Sequence, residues 1–545
     1  MWSQVYDPLN QPILSALVAA IPIIFFLLGL TVLKLSGLKS AIISLALAVV
    51  IGMMVFGMPG SVAAGGILYG FLSGAWPIGW IVLMAVWLYR LSVRAGNFYI
   101  VRASISSIST DQRVQMLLIA FAFGGFLEGA AGFGIPIAIC AALLVSLGFN
   151  PLKASMLALI GNVASGAYGA IGIPVTNGAE KGGVALAHLS ADMVPVLQIF
   201  ALLTPVLMVA IQDGLRGLRE TGLVALAAGA VYSGAQSLML ATMGSPELVD
   251  IIPPLLSLIA LALIARVWQP KNIYREPTAL SLEELEQQGS EHYSFKQVMA
   301  AWSPFYYLSI VILLWSTAMK PLFAVGGALS WTSITFPIPG VHLAVQQTAP
   351  IVANPTPVKA VYTWQILGAS GTAILVAALI TVLTANITWK QAGEELVGTW
   401  HQLKSPILMI CLVMAVANVM NYGGMISAIA LALAGAGTLF PAFSPIVGWI
   451  GVFVTGSVVN NNTLFAGLQA TTAQQIGATP TLLVAANTAG GVMAKIVSPQ
   501  SIAIAAAAVD SAGQEAKITS MSIRYSLGLL VLLCAWVYLL SLVGA

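Results

Sequence analysis

The chain has 545 residues, of which 59% are hydrophobic and 7% are charged. A soluble domain carries about 25% charged residues, so the composition excludes an ordinary soluble protein and predicts an integral membrane protein. The formal net charge of +3 gives no reason to expect a nucleic-acid partner.

Apolar runs that are long enough to cross a bilayer as helices, roughly 20 residues each, recur along the chain. A β-barrel would show short alternating segments, so we predict an all-α polytopic membrane protein with roughly 12 transmembrane helices. The start has no basic stretch and the first run is long enough to span, so no cleaved signal peptide is expected. The runs cover residues 12–33, 38–57, 74–92, 194–212, 222–243, 249–265, 301–319, 364–386, 405–421 and 526–543.

Basic residues cluster in alternate connections between these runs, and the positive-inside rule places those connections in the cytoplasm. The opposite connections hold Lys181, Lys320 and Lys359, while the short turn 244–250 carries Glu247 and Asp250. We therefore predict that the N-terminus lies outside. The clustered residues are Lys34, Lys39, Arg90, Arg94, Arg102, Arg113, Lys153, Arg216, Arg219, Arg266, Lys271, Arg275, Lys296, Lys390, Lys404, Lys517 and Arg524.

Two stretches, residues 162–174 and 487–499, repeat one pattern inside otherwise apolar segments. Gly and Pro interrupt both stretches at corresponding places, which indicates broken helices that build a transporter binding site. The matched positions are Asn162 and Asn487, Ala164 and Ala489, Gly166 and Gly491, Ile171 and Ile496, and Pro174 and Pro499.

The repeat extends upstream of these stretches. Residues 74–92 correspond to about 399–417. A basic loop follows the first span, whereas the loop with Lys390 and Lys404 precedes the second, so the halves are predicted to be inverted in the membrane.

Each half then has a segment that could lie flat at an interface, followed by an apolar stretch. If residues 96–109 and 424–438 lie flat, residues 114–148 and 439–470 can each form a re-entrant hairpin, which requires burial in protein or a cavity. The alternative is that 114–148 or 424–439 spans outright. The predicted organisation is an N-terminal half 1–266 with its repeat at about 74–175, a partly helical cytoplasmic connector 267–300, and a C-terminal half 301–545 with its repeat at about 399–500.

Glu128 is the only charged residue between Arg113 and Lys153. A carboxylate at the bilayer centre costs at least ~2.5–3.5 kcal/mol, so we expect it to have a role, such as taking up and releasing a proton. The structural interpretation is a protonated or ion-paired carboxyl that fixes the hairpin.

Lys495 is the only basic residue between Lys404 and Lys517, and it lies where the second helix should break. A carboxylate substrate would require a cation at this place. Pairing with Glu128 is the structural interpretation, and both can hold if substrate or proton competes for one partner.

Polar residues surround the predicted hairpin tips and helix breaks. Half-helix N-termini there favour an anion, although interhelical hydrogen bonds or N-caps would also satisfy single residues. Glycines at the first tip could expose backbone N–H groups to an anion, or could serve close packing. The candidate substrate-binding residues are Asn460, Asn461, Asn462, Thr463, Asn162, Ser165, Tyr168, Asn487, Thr488, Ser498, Gln500, Ser501, Gly129, Gly132 and Gly134.

No cofactor, metal site or enzymatic activity is predicted. No nucleotide-binding, metalloprotease or hydrolase motif occurs in a suitable context. The cysteines lie in apolar segments and the histidines lack paired ligand spacing; they are Cys140, Cys411, Cys534, His188, His292, His342 and His401.

Several motifs resemble those of the L-lactate permease family, and the resemblance runs from about residue 6 to the C-terminus. They are YDP (6–8), DQRVQML (111–117), FLEGAAGFGIPIAI (126–139), VTGSVVNNNTLFAGLQATTAQQIG (454–477) and LLVAANTAGGVMAKIVSPQSIAIA (482–505). The resemblance implies proton-coupled uptake of lactate, glycolate and related short 2-hydroxy monocarboxylates across the bacterial inner membrane. It also implies the inverted repeats, re-entrant hairpins and elevator-type movement of the ion-transporter superfamily.

The second hairpin departs from the family pattern, because Val458 stands where many members have an acid; Glu128 and Lys495 match. The first hypothesis is a proton symporter in which Lys495 and the Asn460–Thr463 tip bind the substrate and Glu128 carries the proton. A sodium-coupled or uncoupled carboxylate transporter, and a non-transporting membrane sensor, are the alternatives. Partners are the monocarboxylate, protons, membrane lipid and, as an open alternative, further copies of the chain.

Overall fold

The computed structural model describes residues 1–543 apart from 32, 34, 107, 131, 133, 278, 280–292, 317, 325, 353, 512 and 513. Within this part, seven helices are long and apolar enough to cross a membrane, or nine if each of two bent pairs is one span. The predicted all-α, multi-pass membrane fold is confirmed, whereas the count of roughly 12 helices stays a prediction. Residues 278 and 280–292 of the predicted connector 267–300 lie outside the described part.

The helices follow one another along the chain with few long connections. They are Pro12–Thr31, Gly37–Met54, Gly60–Ser73, Gly74–Gly79 (π), Trp80–Arg94, Asn97–Ser106, Gln112–Met116, Leu117–Phe123 (π), Gly124–Ala130, Ile135–Ser146, Pro151–Gly161, Asn162–Ala164 (3₁₀), Gly169–Gly182, Leu186–Met243, Ile252–Val267, Phe295–Ala301, Ser303–Ser316, Lys320–Phe323, Ser330–Thr332 (3₁₀), Ser370–Thr384, Trp389–Tyr422, Met425–Ala434, Gly437–Leu439 (3₁₀), Phe440–Thr455, Val458–Ile476, Pro480–Lys495, Pro499–Ala508 and Glu515–Leu542.

Two long helices begin earlier than the apolar runs suggested. The apolar run 74–92 is part of a helical stretch that begins at Gly60. The helix that contains 405–421 begins at Trp389 with a capping box from Thr388 and Gln391, so Lys390 and Lys404 lie in a helix and not in a loop. The apolar window missed this start because the first turns are polar, while the capping box marks it.

The helix Leu186–Met243 contains 58 residues and would be about 87 Å long if it were straight, far more than one crossing requires. Its backbone leaves the helical conformation at Asp213 and Gly214. Gly229 then packs against the backbone of Leu202, so the two arms run side by side. The two apolar runs predicted here are the two arms of this helical hairpin.

Short strands interrupt the otherwise helical architecture at the N-terminus and in the connection between the helices Ser303–Ser316 and Ser370–Thr384. Ser333–Pro337 pairs antiparallel with Val361–Gln365, and Val345–Gln347 pairs with both Trp2–Ser3 and Thr356–Pro357. The β-branched residues of the long connection 320–363 favour these strands, which the sequence analysis did not predict.

Two helix pairs fold back on themselves. The first hairpin consists of Gln112–Ala130 and Ile135–Ser146, with Gly132 and Gly134 in left-handed conformations at its tip. The second hairpin consists of Phe440–Thr455 and Val458–Ile476, joined by Gly456 and Ser457. In both pairs the arms contact each other, while their re-entrant placement in the membrane stays a prediction.

Two interrupted helices follow the hairpins. The first broken helix is Pro151–Ala164 with Gly169–Gly182, bent by 51°. The second broken helix is Pro480–Lys495 with Pro499–Ala508. The apolar windows of the first hairpin's long arm and of the second broken helix are fully buried, compared with 28% for Glu515–Leu542, so the interrupted elements lie at the centre of the molecule.

Candidate functional site

Both hairpin tips and both broken helices meet at one small cavity of about 70 Å³. Such a volume holds several water molecules. The cavity is lined by Glu128, Gly132, Gly134, Gly166, Gly169, Ala170, Pro174, Gly456, Ser457, Val458, Val459, Lys495, Gln500, Ser501 and Ile504.

The cavity contains a buried ion pair between the two halves of the chain. Lys495 Nζ lies 2.6 Å from Glu128 Oε1, and the side chains are 10% and 3% exposed. Asn162 Nδ2 donates to the other carboxylate oxygen, Oε2, at 2.9 Å. Gly169 makes room for this carboxylate, since a Cβ there would lie 2.5 Å from Glu128 Oε1.

Lys495 is the last residue of its helix, and Pro499 opens the next one. A cation at a helix C-terminus interacts favourably with the partial negative charge of the last carbonyl groups. Ser498 caps the start of this next helix, because its Oγ accepts from the backbone N–H of Ser501 at 3.3 Å. Gln500 and Ser501 line the cavity, whereas Ser498 does not.

The first broken helix is interrupted by a left-handed segment. Ala170, Ile171 and Gly172 have φ values of 45°, 62° and 74°. A β-branched residue at positive φ is strained, and strain of this kind, of order 1–3 kcal/mol per residue, clusters at functional sites. Gly166, Gly169, Ala170 and Pro174 form the cavity wall here.

Asn162, Ser165 and Tyr168 lie in this break, but only Asn162 reaches the ion pair. Ser165 Oγ accepts from Asn162 Nδ2 at 3.4 Å. Tyr168 is fully buried, and its hydroxyl accepts from Gln198 Nε2 at 3.1 Å. The hydroxyl of Tyr168 therefore binds the helix Leu186–Met243 behind the break, and neither Tyr168 nor Ser165 lines the cavity.

The polar residues of the second hairpin form an interhelical clamp. Asn462 Nδ2 donates to the carbonyl of Pro174 at 2.8 Å and to Thr488 Oγ1 at 2.9 Å. Asn487 Nδ2 donates to Asn462 Oδ1 at 2.9 Å. Thr463 Oγ1 accepts from Asn177 Nδ2 at 2.7 Å. These bonds tie the second hairpin to both broken helices.

The clamp corrects two of the sequence predictions. Asn487 and Thr488 lie in the middle of the helix Pro480–Lys495, not at its break. Asn460–Thr463 lie one turn beyond the tip, where Ser457 is the N-cap, and it is Ser457, Val458 and Val459 that line the cavity. The spacing of residues along the chain could not show these positions, because they depend on which residues of other helices pack against Asn462.

Among the described residues, three amide oxygens of this clamp are buried without a hydrogen-bond partner: Asn177 Oδ1, Asn460 Oδ1 and Asn461 Oδ1. A buried polar oxygen without a hydrogen-bond partner lowers the stability of the folded protein. Each of these three oxygens is therefore a candidate contact for a ligand or an ion.

The three glycines singled out at the first tip have different environments. Gly132 and Gly134 line the cavity with positive φ values of 58° and 84°. Gly129 lies inside the helix Gly124–Ala130 and packs against the backbone of Asp250, so it serves close approach and not an exposed anion cradle.

The comparisons with known proteins agree with this arrangement of motifs. The model of the family described as L-lactate permease matches residues 15–544. The chain belongs to the L-lactate permease family. It is 48% identical over 548 residues to an L-lactate permease of Halalkalibacterium halodurans, with 99% of this chain and 100% of that protein covered.

Other relatives of this L-lactate permease family member are named either glycolate permease or L-lactate permease. The glycolate permease GlcA of Escherichia coli is 45% identical, with 98% of each chain covered. An L-lactate permease of Bacillus subtilis is 40% identical over 99% of this chain and 98% of its own.

Two solved transporter structures show weaker similarity. Neisseria gonorrhoeae MtrF, described as one of a class of antimetabolite efflux pumps, gives a TM-score of 0.45 at 14% identity, with 88% and 83% of the two chains covered. The Alcanivorax borkumensis YdaH transporter gives 0.44 at 12%, with 87% and 86% covered. Both TM-scores are below 0.5, so nothing is inferred from these structures.

Sequence reasoning about this L-lactate permease family member missed part of the site. It named Glu128 and Lys495 and considered their pairing, which the structure shows. It did not name Gly166 or Gly169 as site residues, although both line the cavity. It also noted Asp250 only as a residue of a short turn and did not assign it to the site, whereas Asp250 is 1% exposed. The position of an acid directly before an apolar run could have signalled burial.

Proposed function

We propose that the chain is a secondary active importer of L-lactate and related short 2-hydroxy monocarboxylates, such as glycolate and D-lactate, by proton symport across the bacterial inner (plasma) membrane. The observation that carries the proposal is the Glu128–Lys495 ion pair in the cavity between both hairpins and both broken helices. The relatives named as lactate and glycolate permeases support the substrate class.

The ion pair offers a direct way to couple substrate and proton. A substrate carboxylate that enters the cavity competes with Glu128 for the ammonium group of Lys495. Once Glu128 loses this partner, its buried charge is unfavourable and it takes up a proton. The loaded site then contains one bound carboxylate, one ammonium and one neutral carboxyl, so substrate and proton travel together.

The energetics are sufficient without ATP. A monoanion and one proton together carry no net charge, so the pH difference is the driving force. One pH unit supplies about 1.36 kcal/mol, which corresponds to tenfold accumulation.

The proposed architecture is a pair of inverted repeats at about 74–175 and 399–500, within halves 1–266 and 301–545, joined by the cytoplasmic connector 267–300. An elevator-type movement of the hairpins and broken helices would expose the cavity alternately to each side. With an outside N-terminus, the basic connections face the cytoplasm.

A sodium-coupled carrier is the second candidate. The unpartnered oxygens of Asn177, Asn460 and Asn461 favour it, because amide oxygens suit a hard cation. Val458, which stands where the resemblance gives many family members an acid, lines the cavity of the Glu128–Lys495 pair and leaves it without a further negative charge that a coupling proton could use.

The test is uptake of labelled L-lactate into proteoliposomes under an inward pH gradient with and without an uncoupler, together with uptake at fixed pH with and without Na⁺. Accumulation that the uncoupler abolishes and Na⁺ does not change supports proton symport. Accumulation that requires Na⁺ selects the second candidate. Absence of transport for lactate, glycolate and D-lactate contradicts both carriers and favours a non-transporting role.

A further inference from the structure

A second buried carboxyl lies beside the ion pair. Asp250 belongs to the turn between the helices Leu186–Met243 and Ile252–Val267, and it is 1% exposed. Its backbone packs against Gly129, the residue that follows Glu128. Pro246 of the same turn packs against Gly172, so the turn touches both the first hairpin and the first break.

The side chain of Asp250 is held by neutral donors. Tyr232 Oη donates to Oδ1 at 3.2 Å, and Gln236 Nε2 donates to the same oxygen at 2.7 Å. The other oxygen, Oδ2, has no hydrogen-bond partner among the residues that the structure describes. Gln236 Nε2 also donates to the carbonyl of Ala164 at 3.3 Å, which connects Asp250 to the first break.

Four titratable side chains are close enough to interact electrostatically with Asp250: Glu128, Lys495, Tyr168 and Tyr232. Lys495 is the cation among them, and its ammonium group is already bound by Glu128. Two buried carboxyls therefore share one ammonium. A buried carboxylate without a cation is strongly disfavoured, so Asp250 holds a proton while the ion pair is intact.

The same turn carries a third acid nearer the surface. Glu247, three residues before Asp250, is half-buried, and its Oε1 accepts from Ser370 Oγ at 3.1 Å. Burial raises the pKa of Glu247, so this carboxyl gains and loses its proton at a higher pH than an exposed glutamate does. The turn thus carries a partly accessible acid, Glu247, three residues from the buried Asp250.

We propose that Asp250 is a proton relay that supplies Glu128 when a substrate carboxylate takes over Lys495. This inference rests on the proposed function. The proton leaves the carboxyl of Asp250 and bonds to the carboxylate of Glu128, directly or through water. Asp250, now a carboxylate, regains a proton from the aqueous phase by way of Glu247, so one proton enters for each one passed on.

The experiment uses Asp250→Asn in proteoliposomes, with Asp192→Asn as the matched control. Asp192 lies on the helix Leu186–Met243, is half-buried and accepts a hydrogen bond from Thr481 outside the cavity. Three quantities are measured: labelled-lactate counterflow at equal pH, accumulation under a pH gradient, and proton uptake induced by lactate.

The relay predicts a split between these quantities. Counterflow exchanges substrate on carriers whose Glu128 stays protonated, so Asp250→Asn retains it. Accumulation falls to the equilibrium level and lactate-induced proton uptake disappears, while Asp192→Asn behaves as the wild type. Wild-type accumulation by Asp250→Asn overturns the relay. Absence of lactate counterflow in the wild type instead overturns the proposed function itself.

Tyr232→Phe tests the relay if Asp250→Asn loses counterflow by misfolding. The Tyr232 hydroxyl stabilises the charged form of Asp250, so its removal favours the protonated form. The pH dependence of lactate-driven proton uptake then shifts to higher pH, with counterflow retained. An unshifted profile in Tyr232→Phe overturns the relay and leaves Asp250 as a packing residue.

Discussion

The two broken helices share a sequence pattern and differ in structure. The first bends by 51° and passes through three left-handed residues, while the second continues to Lys495 and restarts at Pro499. At the same offset, Gly172 corresponds to Val497 and Ala170 to Lys495. Glycine permits positive φ, whereas a β-branched valine resists it, so this substitution contributes to the difference. The matched Ile171 and Ile496 have φ values of 62° and −58° although both are isoleucine, so tertiary packing contributes as well.

The polar residues of the pair have diverged as well. Asn162 donates to Glu128 at the cavity, but its counterpart Asn487 donates to Asn462 in the interhelical clamp. The first half supplies a carboxylate and a distorted backbone, and the second half supplies the cation. A repeat can therefore conserve positions while it divides the chemistry between its copies.

Removing one charge of the Glu128–Lys495 pair is expected to have the largest effect on stability. Glu128→Gln or Lys495→Met leaves the partner charge buried and unpaired, which costs about 3–5 kcal/mol of unfolding free energy. The double variant restores most of this stability because no charge remains, but it does not accumulate lactate. Unfolding in detergent and uptake are measured together.

Glu394→Gln is the matched control for the charge variants, because Glu394 is 52% exposed and pairs with Arg94 at the surface. It should change stability by less than about 1 kcal/mol. A double variant that is no more stable than the singles would contradict the paired-charge account.

Gly172→Ala tests the backbone difference. The new Cβ meets Pro246 at 2.7 Å, and φ is +74°. Left-handed strain of about 1–2 kcal/mol and overpacking of about 1–3 kcal/mol both reduce stability. Gly183→Ala, at φ +63° with open space around it, should show the strain alone. Equal losses for both variants would show that the contact with Pro246 is unimportant.

Asn162→Ala and Asn487→Ala compare the matched asparagines directly. Each removes buried hydrogen bonds, so each should cost about 1–3 kcal/mol of stability. Only Asn162→Ala is expected to alter the pH dependence of lactate uptake, since only Asn162 binds the Glu128 carboxylate. A changed pH profile in Asn487→Ala would refute the division of roles.

Gly169→Ala is expected to have the smallest effect on stability. The added methyl group meets the flexible end of Glu128 at 2.5 Å, and alanine favours a helix by up to about 1 kcal/mol. Stability should change little, while uptake falls because the carboxylate must move. Gly393→Ala, with no atom within 4 Å, should leave uptake unchanged. Normal uptake by Gly169→Ala would show that the carboxylate position is not critical.

The sequence by itself determined the class of fold, the isolated charges within the apolar segments and the places where the helices are interrupted. Its low charge and long apolar runs require helices in a membrane, because a buried backbone must satisfy its own hydrogen bonds. The isolated Glu128 and Lys495 were visible because charges are costly there. The glycines and prolines marked both interruptions because of what they do to a local backbone.

Only the tertiary structure decided which of these positions meet. The ion pair joins residues 367 positions apart, and Asn487 reaches Asn462 and not the cavity. In the sequence Asp250 is only a residue of a short turn, and its burial follows from the packing of the first hairpin against it. Hydrophobic periodicity, helix-breaking residues and the free-energy cost of a buried charge can be recognised within a few turns of the chain. The partner of a buried polar atom depends instead on how helices that are distant in sequence pack together.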